Sequence, residues 1–390
     1  MPFAAALATA ADVATAAREL CAAVRDRSTA APDLVVAFFS SHFSDDASAL
    51  TRALRDGLAS RALVGCVAES VIGGGREVEG EPAISLWAAW WGKKVSVEPF
   101  HLTLEQTADG PSIMGWPDSI TDASPERAAL LLLGDPFTVP TDLLLRRVNE
   151  DYAGLRVVGG MASGIQAPGQ CRLLLDDAVH DNGALCILLQ GQIGLRPVVS
   201  QGCRPIGRPF IVTKGEENVI LQLGGRTPLD VLKDLWQSLD DRDKKLFQQG
   251  LHVGRVINEY QGDFQRGDFL IRNVIGLDRT TGALAITDRV RVGQTMQFQV
   301  RDAETADEDL HALLQMDLSA HAKRPAGALL FSCNGRGSRL FGVPDHDAAA
   351  LLAEAGNIPV AGFFAQGELG PVGGQNFIHG FTASIALFEE

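Results

Sequence analysis

The chain has 390 residues, 46% of them hydrophobic and 21% charged, which supplies more than one core and excludes a disordered polyelectrolyte. Its net charge of −14 argues against nucleic acid or an anionic membrane as partner, because neutralising phosphate needs a basic surface. No apolar run reaches the roughly 18 residues needed to cross a bilayer. The six cysteines are scattered, with no C-x-x-C pair, and fit reduced cytoplasmic thiols better than a disulfide frame or a zinc site.

Residues 1–7 lack a basic leader, and Asp12 interrupts their apolar stretch, so they read as the start of an amphipathic helix rather than a signal sequence. Val13, Ala17, Leu20, Cys21 and Val24 follow near helical spacing, and Pro32-Asp33 breaks that helix. Next comes a pattern that recurs three times. An apolar run at 34–40 is followed by possible caps at 44–48, a helix over 50–59, a strand at 64–68 carrying Gly65, a glycine cluster at 73–75 and a strand at 83–87. The second copy has its run at 129–133, a helix from Pro140 to Tyr152, a strand with Gly159 and Gly160, and a closing strand at 184–189. The third has its run at 328–331, a helix over 348–355 ended by Gly356, a strand with Gly362, and a closing strand at 383–388. Each marker glycine follows the start of its run by roughly thirty residues, a spacing that points to a duplicated unit inside a globular protein. A helix between two strands favours a parallel pair, and a closing strand that returns antiparallel makes the sheets mixed. The expected fold class is therefore α/β, mixed sheets with flanking helices, built from repeated strand-helix-strand-strand units in two related halves.

The segment between the second and third copies does not follow the pattern. A hairpin around Lys214-Gly215 is expected between strands at 210–213 and 219–223, then a helix opened by Thr227-Pro228 and ending near Leu239. Strands are expected at 251–257, 269–277, 283–288 and 295–300, with a turn at Thr280-Thr281-Gly282, followed by a helix at 306–318. The Gly224-Gly225-Arg226 connection is the best boundary, dividing the chain into an N-terminal helix (1–30) and domains at 31–225 and 226–390.

The most informative stretches are 327–337 and 360–370. In each, an apolar strand stops at a glycine-rich loop, one carrying Arg336 between Gly335 and Gly337, the other carrying Glu368 after Gly367. Glycine lets backbone approach a ligand, and arginine offers a planar fork of donors suited to a carboxylate or phosphate. Arg336, with the backbone N–H groups of 334–337, reads as an anion clamp or as a turn arginine paired with a local carboxylate. Glu368 reads as the complement that holds a ligand ammonium, or as a solvated turn residue, or as a partner of Arg336. Cys333 reads as a buried or pocket-lining side chain or, if a base approaches it, as a nucleophile. No Gly-x-Ser-x-Gly elbow, phosphate loop or paired-histidine spacing stands out, so no cofactor, metal or catalytic residue is expected.

The combination of 63–66 with Ile72-Gly73, and of 157–160 with Ala162-Ser163-Gly164, resembles the N-terminal half of the FIST domain. Residues 269–273, Val292-Gly293, 297–302, 331–337 and 362–370 resemble its C-terminal half. That resemblance implies an intracellular sensory and signalling module of the stand-alone type, binding small ligands such as amino acids. It nominates Ser163, Cys333, Asn334, Gly335, Arg336, Gly337, Gly362, Gly367 and Glu368 for the ligand, with a signalling protein as a further partner. Two rivals stand beside it. One is an interaction scaffold using an exposed Trp87, Trp90, Trp91 cluster, and the other is an enzyme centred on Cys333.

Overall fold

Three apolar runs become the inner strands of three sheets in the computed structural model, which describes residues 2–108 and 110–390. The first stretch comprises β1 (Phe3–Ala8), α1 (Val13–Arg25), β2 (Leu34–Ser40), α2 (Ala47–Leu58), β3 (Ala62–Ala68), β4 (Ser70–Gly73), β5 (Arg76–Glu79) and β6 (Ile84–Ala89). The second comprises β7 (Val95–Thr107), β8 (Gly110–Met114), β9 (Ala128–Gly134), α3 (Thr141–Asp151), β10 (Arg156–Met161), β11 (Leu173–Leu175), β12 (Ala178–His180) and β13 (Ala184–Gly191).

Next, β14 (Leu195–Gln201) leads into β15 (Cys203–Pro205), β16 (Phe210–Glu216), β17 (Val219–Leu223), α4 (Pro228–Ser238), α5 (Asp241–Gln249), β18 (Leu251–Val256), β19 (Phe269–Leu277), β20 (Leu284–Ile286) and β21 (Thr295–Arg301). The chain returns through α6 (Ala303–Ala320) to β22 (Gly327–Cys333), α7 (Ser338–Phe341), α8 (His346–Ala355), β23 (Val360–Ala365), β24 (Glu368–Val372), β25 (Gln375–His379) and β26 (Thr382–Phe388). Two compact units result: residues 1–199 with 310–390, and residues 200–309.

In the larger unit, β2 and β3, β9 and β10, and β22 and β23 each run parallel, and β6, β13 and β26 return antiparallel beside the first strand of each pair. The sheets are therefore mixed α/β layers, as the strand-helix-strand spacing implies. Their strand orders match: β1-β6-β2-β3-β11-β12, β8-β7-β13-β9-β10-β24-β25 and β14-β26-β22-β23-β4-β5. The hairpin at the end of each sheet comes from a different stretch of chain. The β4–β5 hairpin adds to β23, β11–β12 to β3, and β24–β25 to β10.

Strand alternation divides each apolar run between two cores. On β9, Ala129, Leu131 and Leu133 face a central cluster, whereas Leu130 and Leu132 meet Leu144, Leu145 and Val148 of α3. On β22, Leu329 and Phe331 join the central cluster, while Ala328 and Leu330 pack with Leu351 of α8 and Leu310 and Leu314 of α6. Phe38, Phe331 and Phe363 meet at its middle, with ring centroids 4.9 to 6.2 Å apart. Both faces of the inner strands are covered, which is why these strands read as unbroken apolar runs.

The three marker glycines share a physical cause. Gly65, Gly159 and Gly362 lie opposite Ala37, Leu132 and Leu330 of the parallel neighbour, and an added Cβ would sit 2.2, 1.9 and 1.8 Å from those residues' carbonyl oxygens. No side chain fits there without moving a strand.

Two sequence expectations change. Residues 3–8 form a strand rather than the start of a helix, because they pair antiparallel with β6 along their whole length and Phe3 stacks on Trp87; Met1 lies outside the described residues. The hairpin of 210–223 turns at Glu217-Asn218 instead of Lys214-Gly215. Gly215 lies within β16 beside a register shift, where a Cβ would come 2.5 Å from Val290.

In the smaller unit, β21-β16-β17-β20-β19-β18 pair antiparallel in sequence, and β18 pairs back to β21, closing a six-stranded barrel. Val212, Ile220, Val253, Leu284, Ile286 and Phe298 fill its core. The helix α4 starts where Thr227 caps the Asp230 N–H and Pro228 takes the first turn.

Candidate functional site

Where β22 and β23 end, the larger unit gathers most of the polar residues that the sequence singled out. Strand β22 stops at Cys333, and residues 334–337 turn tightly. The Asn334 N–H donates to the Ala365 carbonyl at 3.0 Å, the Arg336 N–H to the Cys333 carbonyl at 2.8 Å, and the Gly335 N–H to Cys333 Sγ at 3.5 Å. Gly337 takes φ +58° and starts α7; a Cβ there would come 2.8 Å from Glu79 Oε1. The loop's anion is thus a carboxylate of the chain itself, since Glu79 accepts from the Ser338 N–H at 2.9 Å and the Ser338 hydroxyl at 2.7 Å.

Arg336 turns inward and is fully buried. Its Nε and Nη2 donate to Asp347 at 2.7 and 2.8 Å, and Ser332 donates to the same carboxylate at 2.6 Å. Asp347 stands in the first turn of α8, where the helix end favours negative charge. Burial works against its charge, yet the Arg336 guanidinium and the hydrogen bonds from Arg336, His346 and Ser332 hold its carboxyl well below the usual carboxylate range. His346 contacts Asp347 Oδ1 at 3.0 Å and stacks on Phe341, which lies under the guanidinium.

Glu368 is also fully buried. It follows Gly367, which bends the chain at φ +128°, and it pairs with Gly160 of β10. Its carboxyl accepts the Thr382 N–H at 3.1 Å and the Cys333 thiol, and burial pushes it up to about 8 against those hydrogen bonds. Glu77 behaves alike: burial and the neighbouring Asp347 charge push it up to about 8, although it accepts the Ala348 N–H at 2.9 Å.

Above this buried layer lies a cavity of about 240 Å³ lined by Glu69, Ser70, Glu79, Gly80, Asn334, Ser338, Arg339 and Phe364. Arg339 pairs with Glu69 and donates to the Asn334 carbonyl at 3.0 Å. Ser163 ties the second stretch of chain to this place: its hydroxyl donates to the Phe364 carbonyl and accepts the Glu69 N–H at 2.8 Å.

The structure therefore brings Ser163, Cys333, Asn334, Gly335, Arg336, Gly337, Gly367 and Glu368 together, Asn334 alone of them on the cavity wall. Gly362 lies apart, inside the sheet against Leu330. Sequence reading missed Asp347, Glu77, Glu79, Glu69 and Arg339. Glu77 and Val78 are adjacent on β5 and both buried, and which sheet the strand joins is set by a hairpin crossing to β23. The tryptophan cluster offers little surface, since Trp87 is fully buried among Phe3, Trp91 and Phe388.

The FIST N domain matches residues 33–226 and the FIST C domain matches residues 228–371. The chain belongs to the FIST family. FIST domains are associated with sensory and signalling roles. An uncharacterized protein of Mycobacterium bovis is 43% identical over 378 residues, covering 97% of this chain and 96% of its own length. An uncharacterized protein of Mycobacterium tuberculosis is 43% identical over 381 residues, covering 97% of each. The two FIST matches reach residues of the larger unit and of the barrel alike. Among the described residues, no cluster of His, Cys, Asp and Glu could hold a metal, and no helix is long and apolar enough to cross a membrane.

Proposed function

We propose that this FIST protein is a cytoplasmic sensor of a small zwitterion or carboxylate, of which an amino acid is the leading case, held in the cavity at the ends of β22 and β23. The observation that carries the reading is the lining of that cavity: one guanidinium, Arg339, paired with Glu69, and a second carboxylate, Glu79, border a space of about 240 Å³. The volume falls below the roughly 300–1,000 Å³ of pockets for drug-sized ligands, so it suits a metabolite of few heavy atoms. Arg339 would take the ligand carboxylate, with Glu69 or Glu79 on its ammonium group, and Phe364 supplies an apolar wall. Arg336 and Glu368 are fully enclosed, and in this reading they brace the floor and hold the loop in place. Glu79 comes from β5 and Glu69 from the link between β3 and β4, Asn334 and Arg339 from the loop and short helix after β22. A ligand bridging them would favour one spacing of these elements, which is the differential binding that a signal passed to a protein partner needs.

The test is a thermal-shift and calorimetric screen against the common amino acids and small carboxylates, run on wild type, Arg339→Ala and Glu79→Gln. A ligand at ~100 times its Kd adds about 2.7 kcal/mol, a rise of roughly 5–11 °C in a unit of this size. The rise is expected in wild type and is expected to be lost in Arg339→Ala. A flat wild-type screen, or a rise that Arg339→Ala leaves unchanged, would sink the proposal.

A further inference from the structure

Beneath the cavity, Nη1 of Arg336 and Oε1 of Glu368 are among the enclosed atoms with no hydrogen-bond partner among the described residues. Both side chains are fully buried, and both interact with Cys333, whose thiol hydrogen-bonds Glu368 and whose sulfur lies within the field of the guanidinium. Asp347 holds the other two nitrogens of the fork, so Arg336 is fixed with one N–H face uncommitted. Cys333 is the half-exposed cysteine of this chain, whereas Cys21, Cys66, Cys171, Cys186 and Cys203 are buried. A fixed cation and the Gly335 N–H both favour a thiolate at this sulfur, and a thiolate open to solvent is the state that oxidants attack.

We propose that Cys333, Arg336 and Glu368 form a peroxide-reactive thiol centre whose substrate class is hydroperoxides, R–O–O–H. In molecules whose Glu368 is ionised, a fraction that grows as pH rises toward about 8, the Cys333 thiol proton passes to the Glu368 carboxylate. The thiolate then attacks the terminal peroxide oxygen; the S–O bond forms as the O–O bond breaks, and the electron pair leaves on the R–O oxygen. That oxygen takes the proton back from Glu368, so the products are a Cys333 sulfenic acid and R–OH. Sulfur is oxidised by two electrons and the peroxide is reduced by two. Arg336 Nη1, whose N–H is uncommitted in the resting protein, is the donor for the oxygen on which charge develops, a preorganised positive field of the kind that lowers such barriers.

Acyl transfer at the same thiol is the weaker alternative, because it needs backbone N–H groups aimed at an oxyanion. Here the amides of Asn334, Gly335 and Arg336 are already given to the Ala365 carbonyl, Cys333 Sγ and the Cys333 carbonyl. Cleavage of an O–O bond needs only a thiolate, a cation beside it and one returnable proton, all present here. This centre does not depend on the cavity's ligand.

The full chain would be treated with hydrogen peroxide and with cumene hydroperoxide, trapping sulfenic acid with dimedone and locating it by peptide mass spectrometry. The expected result is one label per chain, at Cys333, absent in Cys333→Ser, formed at least about tenfold faster than oxidation of glutathione at the same pH. Glu368→Gln keeps the shape and the acceptor for the Thr382 N–H but cannot carry the proton, so oxidation should slow by at least about tenfold while alkylation by iodoacetamide changes less. Oxidation of wild-type Cys333 no faster than glutathione would overturn the proposal. So would an unchanged oxidation rate in a folded Glu368→Gln, or rapid alkylation of Cys333 without peroxide consumption.

Discussion

Asp347→Asn isolates the interaction that holds the floor of the site. In the folded protein Asp347 receives two hydrogen bonds from Arg336 at 2.7 and 2.8 Å and one from Ser332 at 2.6 Å, with both ionic side chains fully buried. The amide keeps the volume but removes the charge and places an NH2 group against donors. Arg336 is then a buried cation without a counter-ion, a situation that costs about 3–5 kcal/mol. At roughly 2–4 °C per kcal/mol for a unit of this size, the melting temperature should fall by roughly 6–20 °C. Differential scanning calorimetry at neutral pH reads the change. The double variant Arg336→Met/Asp347→Leu supplies the control: it removes both charges and should recover most of the loss, because apolar replacement of a buried pair is often neutral. A loss below about 1 kcal/mol in Asp347→Asn, or a double variant less stable than the single one, would refute the account of Arg336 as a buried structural cation.

Gly362→Ala should destabilise by about 1–3 kcal/mol or more through the 1.8 Å approach to the Leu330 carbonyl, whereas Gly276→Ala, which meets nothing within 4 Å, should change urea midpoints little. Gly159→Ala should be worse than Gly362→Ala, since a φ of +142° adds backbone strain to its 1.9 Å approach. The carboxyls of Glu77 and Glu368, raised to about 8 by burial, bind a proton more tightly folded than unfolded. Their contribution is therefore present at acid pH and is lost as pH rises toward and through about 8. Glu77→Gln should accordingly gain stability relative to wild type between about pH 5 and pH 9, and a gain in the opposite direction would show that Glu77 is ionised in the fold. Native-state alkylation with iodoacetamide should modify Cys333 first, leaving the five buried thiols to react only on unfolding; simultaneous labelling of Cys66 or Cys186 would contradict their burial.

The local elements of this protein were legible from its residues, because local chemistry dictates them. Apolar runs covered on both faces had to be central strands, and Thr227-Pro228 had to start a helix. The three marker glycines announced themselves because no side chain fits against the neighbouring carbonyl. The grouping of Cys333, Arg336 and Glu368 was also readable, since both loops end parallel strands of one sheet. Tertiary structure decided the rest. Strands of three to five residues, such as β4 and β11, carry too little pattern to name a partner, so the exchange of hairpins among the sheets appears only when the chain is folded. That exchange delivers Glu77 and Glu79, with Glu69 just ahead of the hairpin, to Ser338, Arg339 and Asp347, which lie more than two hundred positions away. It also brings them beside Asp347, whose pairing turns Arg336 from an apparent surface clamp into a buried cation, because charge in a low-dielectric interior must find its counter-charge wherever the fold places one.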